Sequence, residues 1–261
     1  MKEEKKIIQV SFSGGRSSAM MAKIMLDNYD RNDLIFMFAN TGKEMPQTLD
    51  FVHDCDVNWN LGVVWIEYDK DTKFRIVSRE TASEDGRPFA ELIEKRSYLP
   101  NTVTRFCTSE LKVKPMKKYL QSIGYKSWDC AIGIRYDEPN RYRKLKGNSG
   151  KDVWDYVFPL YDFKITKKQV FDFWGAQNFD LKIPSEHGNC DFCFMKGLAK
   201  KVSQARKMPE RIDWWIEQEQ KRKATFNKDY SCASIKYLAQ QEELFSAAQM
   251  NELEISCFCG D

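Results

Sequence analysis

The stretch Ile7-Ile8-Gln9-Val10-Ser11-Phe12-Ser13-Gly14-Gly15-Arg16-Ser17-Ser18-Ala19-Met20 decides the fold. Ile7–Phe12 is apolar and β-branched enough for a buried strand. Ser13-Gly14-Gly15 supplies a turn, and Ala19, Met20, Ile24 and Met25 then recur at helical spacing from Ser17 to about Asn28. A strand that runs through two glycines into a helix can hold a phosphate. Glycine lets the backbone turn sharply and come close to a ligand, and the free N–H groups of the helix N-terminus suit phosphate oxygens. Ser13, Ser17 and Ser18 add hydroxyl donors and Arg16 a cation. The spacing is neither the Walker pattern nor the dinucleotide GxGxxG pattern, and taken alone the loop also reads as a glycine turn with a serine cap.

Working outward, Leu34–Ala39 predicts a second strand that ends in Asn40-Thr41-Gly42. Pro46 opens a helix to about Asn60, and Gly62–Tyr68 is a third strand. Residues 70–101 predict short helices and a loop over one edge. Ser109–Ile123 predicts a helix, Trp128–Ile134 a fourth strand and Tyr136–Asp152 a polar, basic loop. Phe158-Pro159-Leu160 precedes a helix at Thr166–Gln177, with Thr166 as N-cap. From Pro184 the signal is helical and punctuated by cysteine, clearest at Pro209–Lys223. Strands alternating with helices imply an α/β fold, a doubly wound parallel sheet, over residues 1–183. A helical, cysteine-bearing C-terminal part, 184–261, packs on it. Ligands of such sheets bind beyond the carboxyl ends of the strands. Ser13–Ser18, Asn40–Glu44 and Gly133–Glu138 all begin at strand ends, so they are expected to converge.

The chain has 261 residues, 42% hydrophobic and 30% charged, an ordinary globular balance. Its net charge of +3 is too small to argue nucleic-acid binding for the whole molecule. No apolar run reaches the ~20 residues of a membrane helix, and Met1–Lys6 is charged and unlike a signal peptide. A cytoplasmic protein is expected. The cysteines are Cys55, Cys107, Cys130, Cys190, Cys193, Cys232, Cys257 and Cys259. In a reducing compartment clustered cysteines bind metal or do chemistry, whereas Cys55 and Cys130 read as core filler. Cys190-Asp191-Phe192-Cys193 places two thiols within reach of one metal centre. Of the histidines, His187 reads as a surface loop residue. Of the adjacent Trp214 and Trp215, one is expected in the core and the other on a contact surface. Arg135, Arg141, Arg143, Lys144 and Lys146, and Lys112, Lys114, Lys117 and Lys118, read as solvated faces, as clamps for further phosphates or sulfate, or as a nucleic-acid groove.

The ordered set of segments resembles the phosphoadenosine phosphosulfate / adenosine phosphosulfate reductase family of the adenine nucleotide α-hydrolase superfamily. Ser13–Ser18 resembles its SGGxDS pyrophosphate loop, with Arg16-Ser17 where the superfamily often has Lys-Asp. Phe38–Glu44 with Thr48–Val52 is similar to its strand-two segment. Arg105-Phe106-Cys107-Thr108 with Leu111-Lys112 and Pro115 is similar to its arginine–cysteine segment. Gly133-Ile134-Arg135 with Asp137-Glu138 and Arg141 matches its substrate segment, and Phe158-Pro159-Leu160 the strand that follows. The likeness spans roughly Ile7 to Cys193. Thr108 stands where the iron–sulfur reductases have a second cysteine.

The resemblance implies an adenine nucleotide held by Ser13, Gly14, Gly15, Arg16, Ser17, Ser18, Asn40, Thr41, Gly42, Glu44, Gly133 and Arg135. It also implies a four-iron, four-sulfur cluster on Cys107, Cys190 and Cys193, with Cys257 as fourth ligand and Cys232 as the outside candidate. Zinc or a metal-free redox CxxC are the alternatives. Cys259 before Gly260 would be the nucleophile, with Arg105, Arg135 and Arg141 on the sulfate and phosphates. A thioredoxin-like thiol would then release sulfite, and a homodimer is the expected assembly. The second reading is an ATP pyrophosphatase of the sulfurtransferase kind, using magnesium and delivering sulfur to tRNA or DNA. The third is a non-catalytic nucleotide- and metal-binding protein.

Overall fold

The structure, a computed structural model, describes residues 6–184, 187–188 and 190–241. Among these residues six strands form one sheet in the order β4-β3-β2-β1-β5-β6. They are β1 (Ile8–Ser11), β2 (Leu34–Asn40), β3 (Val64–Glu67), β4 (Arg75–Val77), β5 (Trp128–Ala131) and β6 (Trp154–Val157). All neighbours run parallel except β3 and β4. The unbroken apolar run of β2 follows from burial on both faces. Leu34, Phe36 and Phe38 face a core shared with Val10, Phe12, Met21 and Met25. Met37 and Ala39 face the opposite core, built on Met116, Leu120, Trp128 and Trp154.

Helices α1 (Arg16–Asn28), α2 (Pro46–Trp59) and α7 (Lys167–Gly175) cover the first face, and α4 (Lys114–Ser122) the second. Thr166 caps α7 as expected, its backbone N–H and hydroxyl both donating to Gln169 Oε1 at 2.9 Å. A third cluster joins α3 (Arg87–Arg96) to the C-terminal helices α8 (Leu198–Lys207), α9 (Asp213–Arg222) and α10 (Cys232–Gln240). Cys55 and Cys130 are buried in the two sheet cores. Burial drives both thiols up, Cys130 to about 12, which keeps them protonated and inert.

Three segments differ from the sequence reading. Within 70–101 the chain forms an antiparallel edge strand, β4, before α3. The helix expected over 109–123 begins with one wide π turn, Thr108–Val113, in which the Lys114 N–H reaches back to Ser109 O. Pro115 accounts for it: proline lacks the N–H that would bond to the Leu111 carbonyl, and its ring would press on that carbonyl in an ordinary α turn. The basic loop contains a helix, α5 (Pro139–Lys146), none of whose residues is buried. The short α6 (Pro159–Asp162) follows β6.

This order positions a site. From β1 the chain winds one way through β2 and β3, then returns to pair β5 on the other side of β1. The crevice beyond the carboxyl ends of β1 and β5 is therefore a topological switch point, where open α/β sheets bind ligands.

Candidate active site

Ser13–Ser18 occupies that crevice. Gly14 has φ +82°, and a Cβ there would stand 2.5 Å from Thr48 Cγ2, so glycine is required twice over. Gly15 is the N-cap of α1 with no side-chain cap, which leaves first-turn N–H groups for a ligand. Ser18 shapes the turn instead: its hydroxyl receives the Ser13 N–H at 3.1 Å and donates to Gly15 O at 2.9 Å. The Arg16 guanidinium is held by Asp180, Nε to Oδ1 at 2.7 Å and Nη2 to Oδ2 at 2.9 Å. What Arg16 offers an anion in the loop is thus chiefly its backbone.

The strand-two segment folds by side-chain bonds to its own backbone. Asn40 Oδ1 receives the Gly42 N–H at 3.0 Å, while Asn40 Nδ2 donates to Glu67 Oε1 at 2.7 Å and Ser83 O at 2.8 Å. Glu44 Oε2 receives both the N–H and the hydroxyl of Thr41 at 2.7 Å. Its Oε1 lies 3.2 Å from Lys112 Nζ and 3.6 Å from Cys190 Sγ. Sequence marks Asn40, Gly42 and Glu44 as binders; here they build the turn, and Thr41 lines the cavity.

On the β5 side Gly133 lets two backbones touch, since a Cβ there would sit 3.1 Å from Ser18 Cα. Arg135 is buried, with Nη1 on Ser17 Oγ at 3.2 Å and Nε on Asp137 Oδ1 at 3.0 Å. It ties the substrate segment to the phosphate loop. Arg141 pairs with Glu138 and lines the cavity beside Arg105.

The CxxC is docked on this assembly by the residue between its cysteines. Asp191 is fully buried; its N–H donates to Lys43 O at 2.8 Å, and Glu44 and Cys190 form an isolated antiparallel bridge. Its carboxylate takes Arg211 Nε at 2.7 Å, Trp215 Nε1 at 2.7 Å and Lys43 Nζ at 3.4 Å. Arg211 also donates to Glu44 O at 3.0 Å. Burial raises the Asp191 carboxyl from its ordinary range, with Lys43 and Arg211 pulling the other way, and burial lowers Lys43. With an always-charged guanidinium 2.7 Å away, the ionised carboxylate is the form these donors suit. Trp215 is thus the core tryptophan, and Trp214 stacks under Lys43 Nζ at 4.9 Å. Phe192, inside the motif, is held at φ +39°, an uncommon conformation for a bulky side chain.

These elements enclose a cavity of about 270 Å³. The loop enters it through Ser13 and Ser18, the turn after β2 through Thr41 and the segment after β5 through Gly133. Cations Arg105, Lys112, Arg141 and Lys196 and thiols Cys107, Cys190 and Cys193 complete the wall. A second cavity of about 160 Å³, mostly apolar, shares Ser11, Ser13, Lys112 and Ile132 with it. Lys196 was not singled out from sequence; its place three residues after Cys193 was the available signal. It is buried and donates to Gln204 Oε1 at 3.3 Å and to the His187 carbonyl. His187 is itself buried, contrary to a surface loop position. Cys232 lies away from the cavity wall, buried at the start of α10. Among the described residues no three cysteine, histidine or carboxylate groups come together as a metal-holding set. Cys257 and Cys259 lie outside the described residues. No helix among the described residues is long and apolar enough to cross a membrane.

Comparison with known proteins identifies a family and individual relatives. The phosphoadenosine phosphosulfate reductase domain profile matches residues 7–182. The uncharacterized nin region protein ORF290 of Escherichia phage lambda is 32% identical over 202 residues, 73% of this chain and 67% of that protein. An uncharacterized protein of Methanocaldococcus jannaschii is 30% identical over 164 residues, 61% of this chain but 34% of the relative, so the chain spans about a third of that protein's length. A crystal structure of phosphoadenylyl-sulfate (PAPS) reductase from Candida auris, a phosphate complex, superposes with TM-score 0.41 at 13% identity, covering 67% of this chain and 74% of that one. The profile match spans well over half the chain, from β1 to the approach of the CxxC, and the chain belongs to the phosphoadenosine phosphosulfate reductase domain family.

Proposed function

We propose that this protein is a sulfonucleotide reductase, in which a cysteine thiolate attacks sulfate carried on an adenine nucleotide. The observation that supports it is one cavity whose wall combines a glycine phosphate loop, four cations and three thiols. The nucleotide's phosphates would lie on Ser13–Ser18 with Arg135 and Gly133 behind them. The smaller cavity, with Ala39, Met116, Ile132 and Trp154, suits a planar base. Arg105, Arg141, Lys112 and Lys196 would face the sulfate.

The attacking thiolate is assigned to Cys259, eighteen residues beyond Gln241. That length of chain reaches about 60 Å fully extended, against a radius of gyration of about 18 Å for a compact domain of this size. The thiolate sulfur bonds to the sulfonyl sulfur, the S–O bond to the nucleotide breaks, and the nucleotide phosphate leaves with the electron pair. A thioredoxin-like thiol then attacks Sγ of the S-sulfocysteine, releasing sulfite and leaving a mixed disulfide that its second thiol resolves. Neighbouring cations keep the thiolate ionised and offset the charge on the phosphate that leaves. Cys107, Cys190, Cys193 and Cys257 are the ligand set proposed for a four-iron, four-sulfur cluster, with zinc as the alternative; the first three line one cavity without closing on a common centre, so the group would have to draw them together. No step is assigned to that group. The division into residues 1–183 and 184–261 and a homodimeric assembly belong to the same proposal.

Thr108, in place of a second cysteine, favours a second reading: an ATP pyrophosphatase that adenylates a substrate for sulfur insertion, with magnesium on the β,γ-phosphates. The assay that separates the two follows sulfite release from a sulfonucleotide with thioredoxin, and pyrophosphate release from ATP. Sulfite production that disappears in Cys259→Ser, with metal content unchanged, supports the reductase. Pyrophosphate without sulfite overturns it.

A further inference from the structure

Helix α5 buries none of its residues. From Pro139 to Lys151 the chain holds Arg141, Arg143, Lys144, Lys146 and Lys151 and no carboxylate. Arg141 turns to Glu138 and the cavity wall. Arg143, Lys144 and Lys146 are exposed, and among the described residues none of the three forms an ion pair with a carboxylate. Lys146 donates to Tyr142 OH at 2.8 Å, and Asp162 offsets part of its charge.

Beside these cations stands a ladder of rings. Tyr142 and Tyr161 stack flat, centroids 3.8 Å apart with planes 2° from parallel, and Tyr136 leans on Tyr161 at 5.1 Å. Tyr136 is 44% exposed, and Phe163 beyond α6 is 51% exposed. A membrane surface would call for an aliphatic wedge, whereas α5 carries Leu145 alone. An exposed phenol ring, Tyr136, backed by two half-buried ones and beside cations that pair with no carboxylate, is what single-stranded nucleic acid requires: a face for a base and charges for phosphates. The patch lies at the rim of the cavity, because Arg141 of the same helix lines its wall.

We infer that α5 and the Tyr136–Tyr161–Tyr142 ladder form a docking surface for a single-stranded nucleic-acid segment at the rim of the cavity. The local patch is complementary to a phosphate backbone, although the whole-molecule charge of +3 is small. The inference goes beyond the reductase proposal and does not depend on it.

The test uses the full chain and a fluorescein-labelled 20-nucleotide single strand, read by anisotropy from 50 to 200 mM salt. Arg143→Gln/Lys144→Gln/Lys146→Gln removes three phosphate contacts. The salt slope of log affinity then falls by about 2, at roughly 0.7 per contact for single strands. Tyr136→Ala weakens binding about five-fold or more at fixed salt. All four residues lie outside the cavity wall, so binding of adenosine 3′,5′-bisphosphate stays at the parent level and certifies the fold and the nucleotide site separately. Parent and triple variant binding the strand alike overturns the inference. So does failure of the parent to bind at 50 mM salt, or a preference for phosphatidylserine vesicles over the oligonucleotide.

Discussion

Asp191→Ala is the substitution with the most to say about how the thiols reach the phosphate loop. Asp191 is buried, and its carboxylate is the shared acceptor for Arg211, Trp215 and Lys43. Alanine leaves a guanidinium and an ammonium uncompensated in a site where their side chains are 13% and 4% exposed. Breaking a buried charge pair by deleting one partner costs about 3–5 kcal/mol. The orphaned Trp215 N–H adds about 1–3 kcal/mol. Against a total stability of about 5–15 kcal/mol that is a large share, and Asp191→Asn, which keeps the shape and one acceptor, should cost less. Urea unfolding followed by tryptophan fluorescence gives the difference, and the Asp191→Ala/Arg211→Ala double mutant should recover part of it through a coupling of up to about 3 kcal/mol. A loss under about 1 kcal/mol for Asp191→Ala, with no coupling to Arg211, would refute the view that this carboxylate docks the CxxC on the strand-two turn.

Further outcomes follow from the same geometry. Gly14→Ala forces a non-glycine residue into the left-handed region, about 1–2 kcal/mol, and drives a methyl into Thr48; a lowered Tm and a large rise in nucleotide Kd by calorimetry are expected. Arg135→Lys keeps the charge but loses the buried fork that joins Ser17 to Asp137, so nucleotide Kd should rise about ten-fold with a lowered Tm. Lys201 is buried over the Tyr230 ring at 4.6 Å, and burial pulls its pKa from 10.5 to about 8. With a depressed lysine the penalty is fully present below pH 8 and relieved as pH rises toward 10.5. Lys201→Met should therefore be more stable than the parent at pH 7, by up to ~3 kcal/mol at 1.36 kcal/mol per pKa unit, with the advantage shrinking from pH 8 to 10 in paired urea titrations.

What the sequence disclosed, and what it hid, follows from range. Ile7–Ser18 was legible because strand, turn and helix signals are local, and β2 because its apolar run admits no exposed face. Cys55 and Cys130 read correctly as core because each sits in an apolar element away from the other cysteines. The polar segment at 136–152 concealed α5, since a helix that buries nothing has no apolar period to detect; Pro139 at its first position was the usable signal. The three-residue β4 was too short to alternate visibly. The Asp191 network joins positions 43, 191, 211 and 215, a proximity that only the folded chain creates. Asn40 and Glu44 were marked by motif, but their bonds to Glu67, Ser83, Thr41 and Lys112 depend on turns that no local pattern encodes.

If nucleotide and thiols share one cavity, bound nucleotide shields the thiols from alkylation, an effect that needs no turnover to observe. In chelator-treated, metal-free protein with saturating adenosine 3′,5′-bisphosphate, iodoacetamide labelling of Cys107, Cys190 and Cys193, mapped by mass spectrometry, should slow at least about ten-fold, while buried Cys55, Cys130 and Cys232 stay unlabelled throughout. A nucleotide that binds tightly yet leaves the labelling rates of all three cavity cysteines unchanged would show that nucleotide and thiols occupy separate sites.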